Sequence, residues 1–317
     1  MTDIMESLRP IIEADALPEA HTSSHWRRYG AETQVEFRPE GLHLRGSGFH
    51  GIARPSLGGR ALHLAEWWSY RAVRRGWRSF PRVWASTRRL ARALGGGPGI
   101  STFTYAGALA TLADHWQACD LAPRTAVVIG DGIGFFGALL RRIVPGVRLY
   151  CIDLPKLLVF QARTHGQADP QARLALLGSA RWAEAEVVLV CPQDAERIPG
   201  PIDCAVNMAS MQEMTPRSIA DYFAFLRKRS APGSRFYCVN RAEKTLPGGE
   251  VIRFADYPWQ ADDEIFLDGP CPYYSHFFAP YTLPEGPRVL GWRVPGWNAF
   301  GEHRHRLARL APAAGAG

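Results

Sequence analysis

The chain has 317 residues, 46% hydrophobic and 21% charged, with six cysteines and a formal charge of +7. This composition excludes a disordered protein, which has too little apolar surface to bury, and a disulfide scaffold, which is far richer in cysteine. No uninterrupted apolar run reaches the ~20 residues of a membrane span, and the N-terminus lacks a basic start followed by an apolar core. A cytoplasmic enzyme-sized protein with reduced cysteines and no membrane span is expected.

The charge excess is local. Between Arg60 and Leu94 nine arginines face a single acid, Glu66. Arg71, Arg75 and Arg78 fall at i, i+4, i+7, one helical face. Such a face suits a solvated surface first, an anionic acceptor second, and nucleic acid last, since no nucleic-acid motif accompanies it.

In chain order, residues 1–118 read as a mainly helical region serving as lid, substrate wall or dimerisation surface. It includes a short hairpin at Gln34–Arg45, where Val35, Phe37, Leu42 and Leu44 alternate with polar residues. Helices are predicted over 61–77, 81–95 and 102–118, the last two separated by the glycine run at 95–99 and the last capped by Ser101 or Thr102. Residues 119–310 change texture. Short β-branched runs at Ala126–Ile129, Arg148–Ile152, Val187–Val190, Cys204–Val206 and Arg235–Val239 alternate with helical segments, the pattern of a parallel sheet covered on both faces. A helix at 216–229 starts from Thr215 and Pro216. Eight prolines between 245 and 295 mark an irregular stretch with a late strand at 288–293. His303 and His305, with their arginines, read as a solvated helix face, and 311–317 as a disordered tail.

Gly130-Asp131-Gly132-Ile133-Gly134 runs from an apolar strand into a helix. Glycines there allow a tight turn and close backbone approach to a ligand. Asp153, at the tip of the next strand, is placed to accept both hydroxyl hydrogens of a ribose. The pair predicts a nucleoside-cofactor site. Spacing alone fits a dinucleotide fingerprint and an S-adenosyl-L-methionine loop equally.

Four segments in order — the glycine loop, Asp153-Leu154-Pro155, Asn207 to Met214, and Tyr237 to Arg241 — resemble the class I S-adenosylmethionine-dependent methyltransferases, and more closely the bacterial sugar O-methyltransferases. The resemblance covers residues 120–245 well, and the N-terminal part only through Ser24-His25-Trp26 and Gly46-Ser-Gly48-Phe49. It implies an α/β fold: a Rossmann-like, doubly wound, mostly parallel sheet with a terminal antiparallel strand and the N-terminal helical appendage. It implies S-adenosyl-L-methionine as methyl donor, held by Gly130, Asp131, Gly132, Gly134, Asp153, Leu154, Pro192, Gln193, Asn207 and Met208. The position two before the first glycine, an acid in many such enzymes, is Val128 here.

Transfer to a hydroxyl needs alignment and a proton acceptor. Glu213, His276 and His25 are the catalytic candidates; Gln212, Asn240 and Arg241 are the substrate-binding ones. No metal-ligand spacing is present, which leaves a Mg²⁺ ion assembled from distant loops without support. The expected acceptor is a sugar or glycan hydroxyl, with an anionic acceptor compatible with the arginines and a homo-oligomer compatible with the N-terminal region. The alternatives are another small-molecule hydroxyl, an NAD-dependent oxidoreductase, and a non-catalytic cofactor- or nucleic-acid-binding protein.

Overall fold

In the computed structural model the described residues are 2–14, 22–38, 41–45, 67, 70–274, 288–289, 292–293 and 301–313. Helix α1 (Thr2–Ala14) is followed by α2 (Ser24–Glu32) and an antiparallel pair, β1 (Gln34–Arg38) and β2 (Gly41–Arg45), at the predicted hairpin. Next come α3 (Arg71–Arg75), α4 (Phe80–Ala93) and α5 (Ile100–Ala118). The α/β part then runs β3 (Thr125–Ile129), α6 (Phe135–Ile143), β4 (Arg148–Ile152), α7 (Pro155–Ala168), β5 (Leu174–Leu176), β6 (Val187–Val190), β7 (Cys204–Met208) and α8 (Pro216–Lys228). It ends with β8 (Arg235–Arg241), the small pair β9 (Glu243–Thr245) and β10 (Val251–Arg253), β11 (Glu264–Pro270), the pair β12 (Arg288–Val289) and β13 (Trp292–Arg293), and β14 (His303–Arg309).

The central sheet has eight strands in the order β11-β14-β8-β7-β3-β4-β6-β5. From β8 to β5 every pairing is parallel; β14 lies antiparallel between β8 and β11. This is the α/β, mostly parallel, doubly wound sheet with terminal antiparallel strands. The period-two geometry of a strand sends alternate side chains to opposite faces. Ala126 and Val128 accordingly enter one core, with α1, α4, α5, α6 and α7, while Val127 and Ile129 enter the other, with α8. Burial on both faces explains why these strands read as continuous apolar runs.

The N-terminal helices pack on this sheet layer. Ile4, Leu8 and Ile12 bury one face of α1 against α7 and β5. α5, apolar on nearly every side, packs mainly against α4, and both touch α6.

Several expectations need correction. Of the helix predicted over 61–77, a helical segment runs from Arg71 to Arg75; residues 61–66 and 68–69 lie outside the described ones. Gly76 ends it, and Arg78 stands in the following turn, where its N–H donates to Asp114 at 2.8 Å. Arg71, Arg75 and Arg78 therefore do not share one helix. The cap of α5 is Gly99, with Thr102 closing back on the Gly99 N–H at 2.8 Å, rather than Ser101 or Thr102.

His303 and His305 lie on a strand, not a helix. They are 2% and 5% exposed and alternate with ion-paired Arg304 and Arg306. In the segment predicted as a disordered tail, the Ala311 N–H donates to Asp263 at 2.9 Å and its carbonyl accepts from Arg227; residues 314–317 lie outside the described ones. The six cysteines are free thiols, five buried and Cys119 exposed.

Arg227 on α8 grips Asp263 through two bonds of 2.6 and 3.0 Å, both side chains almost wholly enclosed. Asp263 also accepts the Gln260 and Ala311 N–H groups, so the pair ties α8 to the chain before β11 and after β14. Removing one partner of such a pair strands a buried charge. Asp263→Asn should lower the unfolding free energy by about 3–5 kcal/mol in urea titration; a change within about 0.5 kcal/mol would show the pair to be dispensable.

Candidate functional site

The strand order leaves β3 and turns both ways, towards β4 on one side and β7 on the other, so the carboxyl ends of β3 and β7 flank the switch point where open α/β sheets bind ligands. The glycine loop, Asp153 and the segment after β7 all leave the sheet at this edge.

Gly130, Gly132 and Gly134 have φ of +73°, +59° and +82°, the left-handed region that glycine enters without cost. A Cβ at Gly130 would collide with the Ser210 hydroxyl, and one at Gly134 would lie 2.9 Å from the Gln161 backbone. The three glycine N–H groups of the loop are committed within the protein. Gly130 N–H donates to the Ile152 carbonyl, Gly134 N–H to the Asp131 carbonyl, and Gly132 N–H to Asp153 Oδ2 at 3.0 Å.

Asp131 turns its carboxylate to the start of α6, where Oδ1 accepts from Phe136 N–H at 3.1 Å and Oδ2 from Gly137 N–H at 2.7 Å. It caps the helix and occupies the place where a helix N-terminus would otherwise receive an anion.

Asp153 is 6% exposed. Its Oδ2 accepts from Gly132 N–H and from Gln161 Nε2 at 2.7 Å, and its Oδ1 from Leu154 N–H at 2.9 Å. A carboxylate has about four acceptor positions, and three are used. This rotamer leaves one position, on Oδ1. Burial pushes the Asp131 and Asp153 carboxyls up to about 7, against the pull of their N–H donors. Leu154 and the turn carrying Pro192 and Gln193 lie side by side, since Asp153 N–H donates to the Val190 carbonyl at the end of β6. Met208, at the tip of β7, is half-buried against the core.

Beside this edge, at the tips of β7 and β8, is a cavity of about 240 Å³. Ser101, Thr104 and Tyr105 of α5 wall it on one side. Ala209, Gln212, Glu213, Arg241, Tyr274 and His303 complete it. Gln212, Glu213 and Arg241 were expected at the site from sequence, and the fold brings them together. Asp153 and the loop glycines are not among the lining residues.

Asn207 and Asn240, assigned from sequence to cofactor and substrate, are wholly enclosed. Asn207 Nδ2 donates to the Ile129 carbonyl at 2.9 Å and to Ser210 Oγ, and its Oδ1 accepts from Asn240 Nδ2 at 2.8 Å and from Met211 N–H at 3.3 Å. Asn240 Oδ1 accepts from Gln212 N–H at 3.1 Å, and Gln212 Oε1 accepts from Arg241 N–H at 2.7 Å. With both amides so occupied they hold the loop that presents Gln212 and Glu213. The turn starts at Ala209, a non-glycine residue at φ +56° on the cavity wall, a conformation that persists only where surrounding bonds enforce it.

Glu213 is a locked carboxylate. Lys244 Nζ lies 2.5 Å from Oε1 and His25 Nε2 lies 3.2 Å from Oε2. Burial raises its pKa, but the His25 hydrogen bond and the Lys244 charge outweigh that and hold it below the usual range. His25 stands behind Glu213, tilted against Tyr29 at 4.5 Å, and α2 is pinned there by the Ser23 hydroxyl on the Glu213 carbonyl. His276 lies outside the described residues. Sequence reasoning missed Tyr105, Lys244, Tyr274 and His303.

Of the arginine-rich stretch, Arg71, Arg75, Arg78, Arg82, Arg88, Arg89 and Arg92 are exposed, and Arg74 stacks over Trp67 at 3.9 Å; none of them lines the cavity. Among the described residues no three His, Cys, Asp or Glu side chains cluster as a metal site would require, and no helix is long and apolar enough to cross a membrane.

No protein-family model matches the chain, and no curated protein matches it. Among solved structures, the magnesium protoporphyrin IX methyltransferase of Synechocystis PCC 6803, with bound SAH, matches at 13% identity and a TM-score of 0.40, over 72% of this chain and 94% of that one. The O-methyltransferase TomG of Streptomyces achromogenes, in complex with SAM, matches at 15% identity and a TM-score of 0.35, over 64% and 89%. An O-methyltransferase of Bacillus cereus, in complex with SAH, matches at 14% and 0.35, over 60% and 74%. These scores are too low to carry an argument, and the fold stands on the strand order and pairings above.

The close approach at Gly130 is directly testable. Gly130→Ala combines a left-handed φ with a collision against Ser210, and should cost about 2 kcal/mol or more in urea unfolding. An unchanged midpoint would mean that the loop and the β7 turn are not in contact.

Proposed function

We propose that the chain is an S-adenosylmethionine-dependent methyltransferase acting on a hydroxyl of a small acceptor, a sugar or glycan precursor. The observation that carries this reading is the place of Asp131. A glycine loop with an acid on the next strand suits the adenosine part of a cofactor in either a dinucleotide or a sulfonium donor. A dinucleotide also needs the N-terminus of α6 for its pyrophosphate. Here a buried carboxylate already takes the Phe136 and Gly137 N–H groups, so a phosphate brought to this helix start would find both of those donors engaged. A cofactor with adenosine and no phosphate makes no demand on those donors, so the NAD-dependent reading is disfavoured.

The residues present fit that cofactor. Asp153 would hold the ribose through the free position on Oδ1, with Leu154 and the Pro192–Gln193 turn beside the adenine. The bound donor supplies an activated methyl group. The chain's own residues then have to orient the acceptor oxygen and move its proton.

The cavity at the tips of β7 and β8 suits the acceptor. Its wall mixes hydroxyls, the Gln212 amide and the Arg241 guanidinium with the rings of Tyr105 and Tyr274, the mixture that binds a polyhydroxylated ring on its faces and edges. The sequence resemblance to sugar O-methyltransferases supports the same acceptor class. Arg241 also suits an acceptor that carries an anionic group.

Isothermal titration with S-adenosylhomocysteine and with NADH tests the cofactor. S-adenosylhomocysteine should bind and NADH should not, and Asp153→Asn should weaken the former by about tenfold or more, the worth of one charge-assisted hydrogen bond. Binding of NADH alone, or of neither, would overturn the reading. Label from S-adenosylmethionine appearing on a nucleotide sugar, and not on a phenol, would establish the acceptor class.

A further inference from the structure

We propose that His303, at the start of β14, is the group that accepts the proton of the acceptor hydroxyl, through Nε2. The inference rests on the methyltransferase reading and names the base that reading requires.

Three features of the ring carry it. First, His303 lines the cavity together with Glu213 and Arg241, although the residue is only 2% exposed. Second, its Nδ1 lies 3.1 Å from the Gly301 carbonyl. A carbonyl oxygen can only accept, so the proton of the neutral ring is on Nδ1 and Nε2 is the bare lone pair. Third, the ring is stacked on Tyr274 at 4.2 Å with planes 8° apart, which fixes its orientation.

The rival base in the cavity is Glu213. Both its oxygens are engaged, by Lys244 and by His25, and protonating it would break a half-buried ion pair. Its chemistry suits holding His25, Lys244 and the loop in place.

Arg241 at the end of β8 and Lys244 on β9 act on His303 by their charge, Tyr274 stacks on its ring, Glu213 shares the cavity wall, and the neighbouring Glu302 is paired with Arg304. Burial first, then the Arg241 and Lys244 charges, push its pKa down to about 4 against the pull of the Gly301 bond. The ring is therefore fully in its base form at neutral pH. In the step proposed, the acceptor oxygen bonds to the methyl carbon and the C–S bond breaks with its electron pair staying on sulfur. The hydroxyl proton moves to His303 Nε2 and later to solvent. One positive charge leaves sulfur as one arrives on the imidazole, so net charge is conserved, and the nearby Arg241 and Lys244 charges favour prompt loss of that proton to solvent.

The test combines a spectroscopic and a kinetic readout on the full chain. In ¹⁵N-detected histidine spectra, assigned by loss of the resonance in His303→Asn, the ring should be the neutral Nδ1–H tautomer at pH 7 and remain neutral at pH 5.5. An imidazolium at pH 7, or the Nε2–H tautomer, overturns the assignment whatever the enzyme does. His303→Asn keeps an amide N–H for the Gly301 carbonyl and removes the base. Label transfer from S-adenosylmethionine to a nucleotide-sugar panel should fall about 10²–10⁴-fold in kcat, with S-adenosylhomocysteine affinity within about twofold of the parent. Transfer at the parental rate would overturn it. Failure of the parent protein to bind S-adenosylhomocysteine would sink the methyltransferase reading itself, an outcome separate from either ring result.

Discussion

One buried side chain joins three strand ends. The Asn207 amide donates to the last carbonyl of β3, accepts from Asn240 near the end of β8, and accepts from Met211 in the turn that leaves its own strand. In a region of low dielectric such a network is strongly stabilising when every member is satisfied, and costly when one is lost. Because Asn240 in turn holds Gln212, and Gln212 holds the Arg241 N–H, the walls of the cavity inherit their positions from this bridge. The left-handed turn at Ala209 and the close approach of Ser210 to Gly130 are the local consequences.

Charge is distributed in a matching way. Asp131 and Asp153 are drawn inward onto backbone N–H groups of the glycine loop and the helix starts, where burial raises both carboxyls to about 7. A few residues away Glu213 is neutralised by Lys244 and His25, and Arg241 stands on the cavity wall.

Much of the α/β architecture is legible in the sequence because parallel strands buried on both faces leave unmistakable apolar runs, and Thr215-Pro216 starts α8 in the expected place. The motif from Asn207 to Met214 is also legible as a site element, although its asparagines act as internal supports; nothing in the letters distinguishes an amide facing a ligand from one facing another amide. His303 escaped because His-Arg-His-Arg beside a short tail suits a polar helix face as well as an edge-like strand, and its period-two alternation becomes decisive only once β14 is seen inserted between β8 and β11. Lys244 reaches Glu213 only through the fold-back of β9, across 31 residues with no motif between. Tyr105 lies on a helix so uniformly apolar that no periodicity marks its cavity-facing side.

The Asn207–Asn240 bond is a support shared by the strand ends, and a double-mutant cycle measures that directly. With Asn207→Ala, Asn240→Ala and the double variant compared by urea unfolding, a coupling energy of about 1–3 kcal/mol is expected for two buried partners in one network. Costs that add within about 0.5 kcal/mol would mean that the two amides act independently and that the cavity wall is held by other contacts.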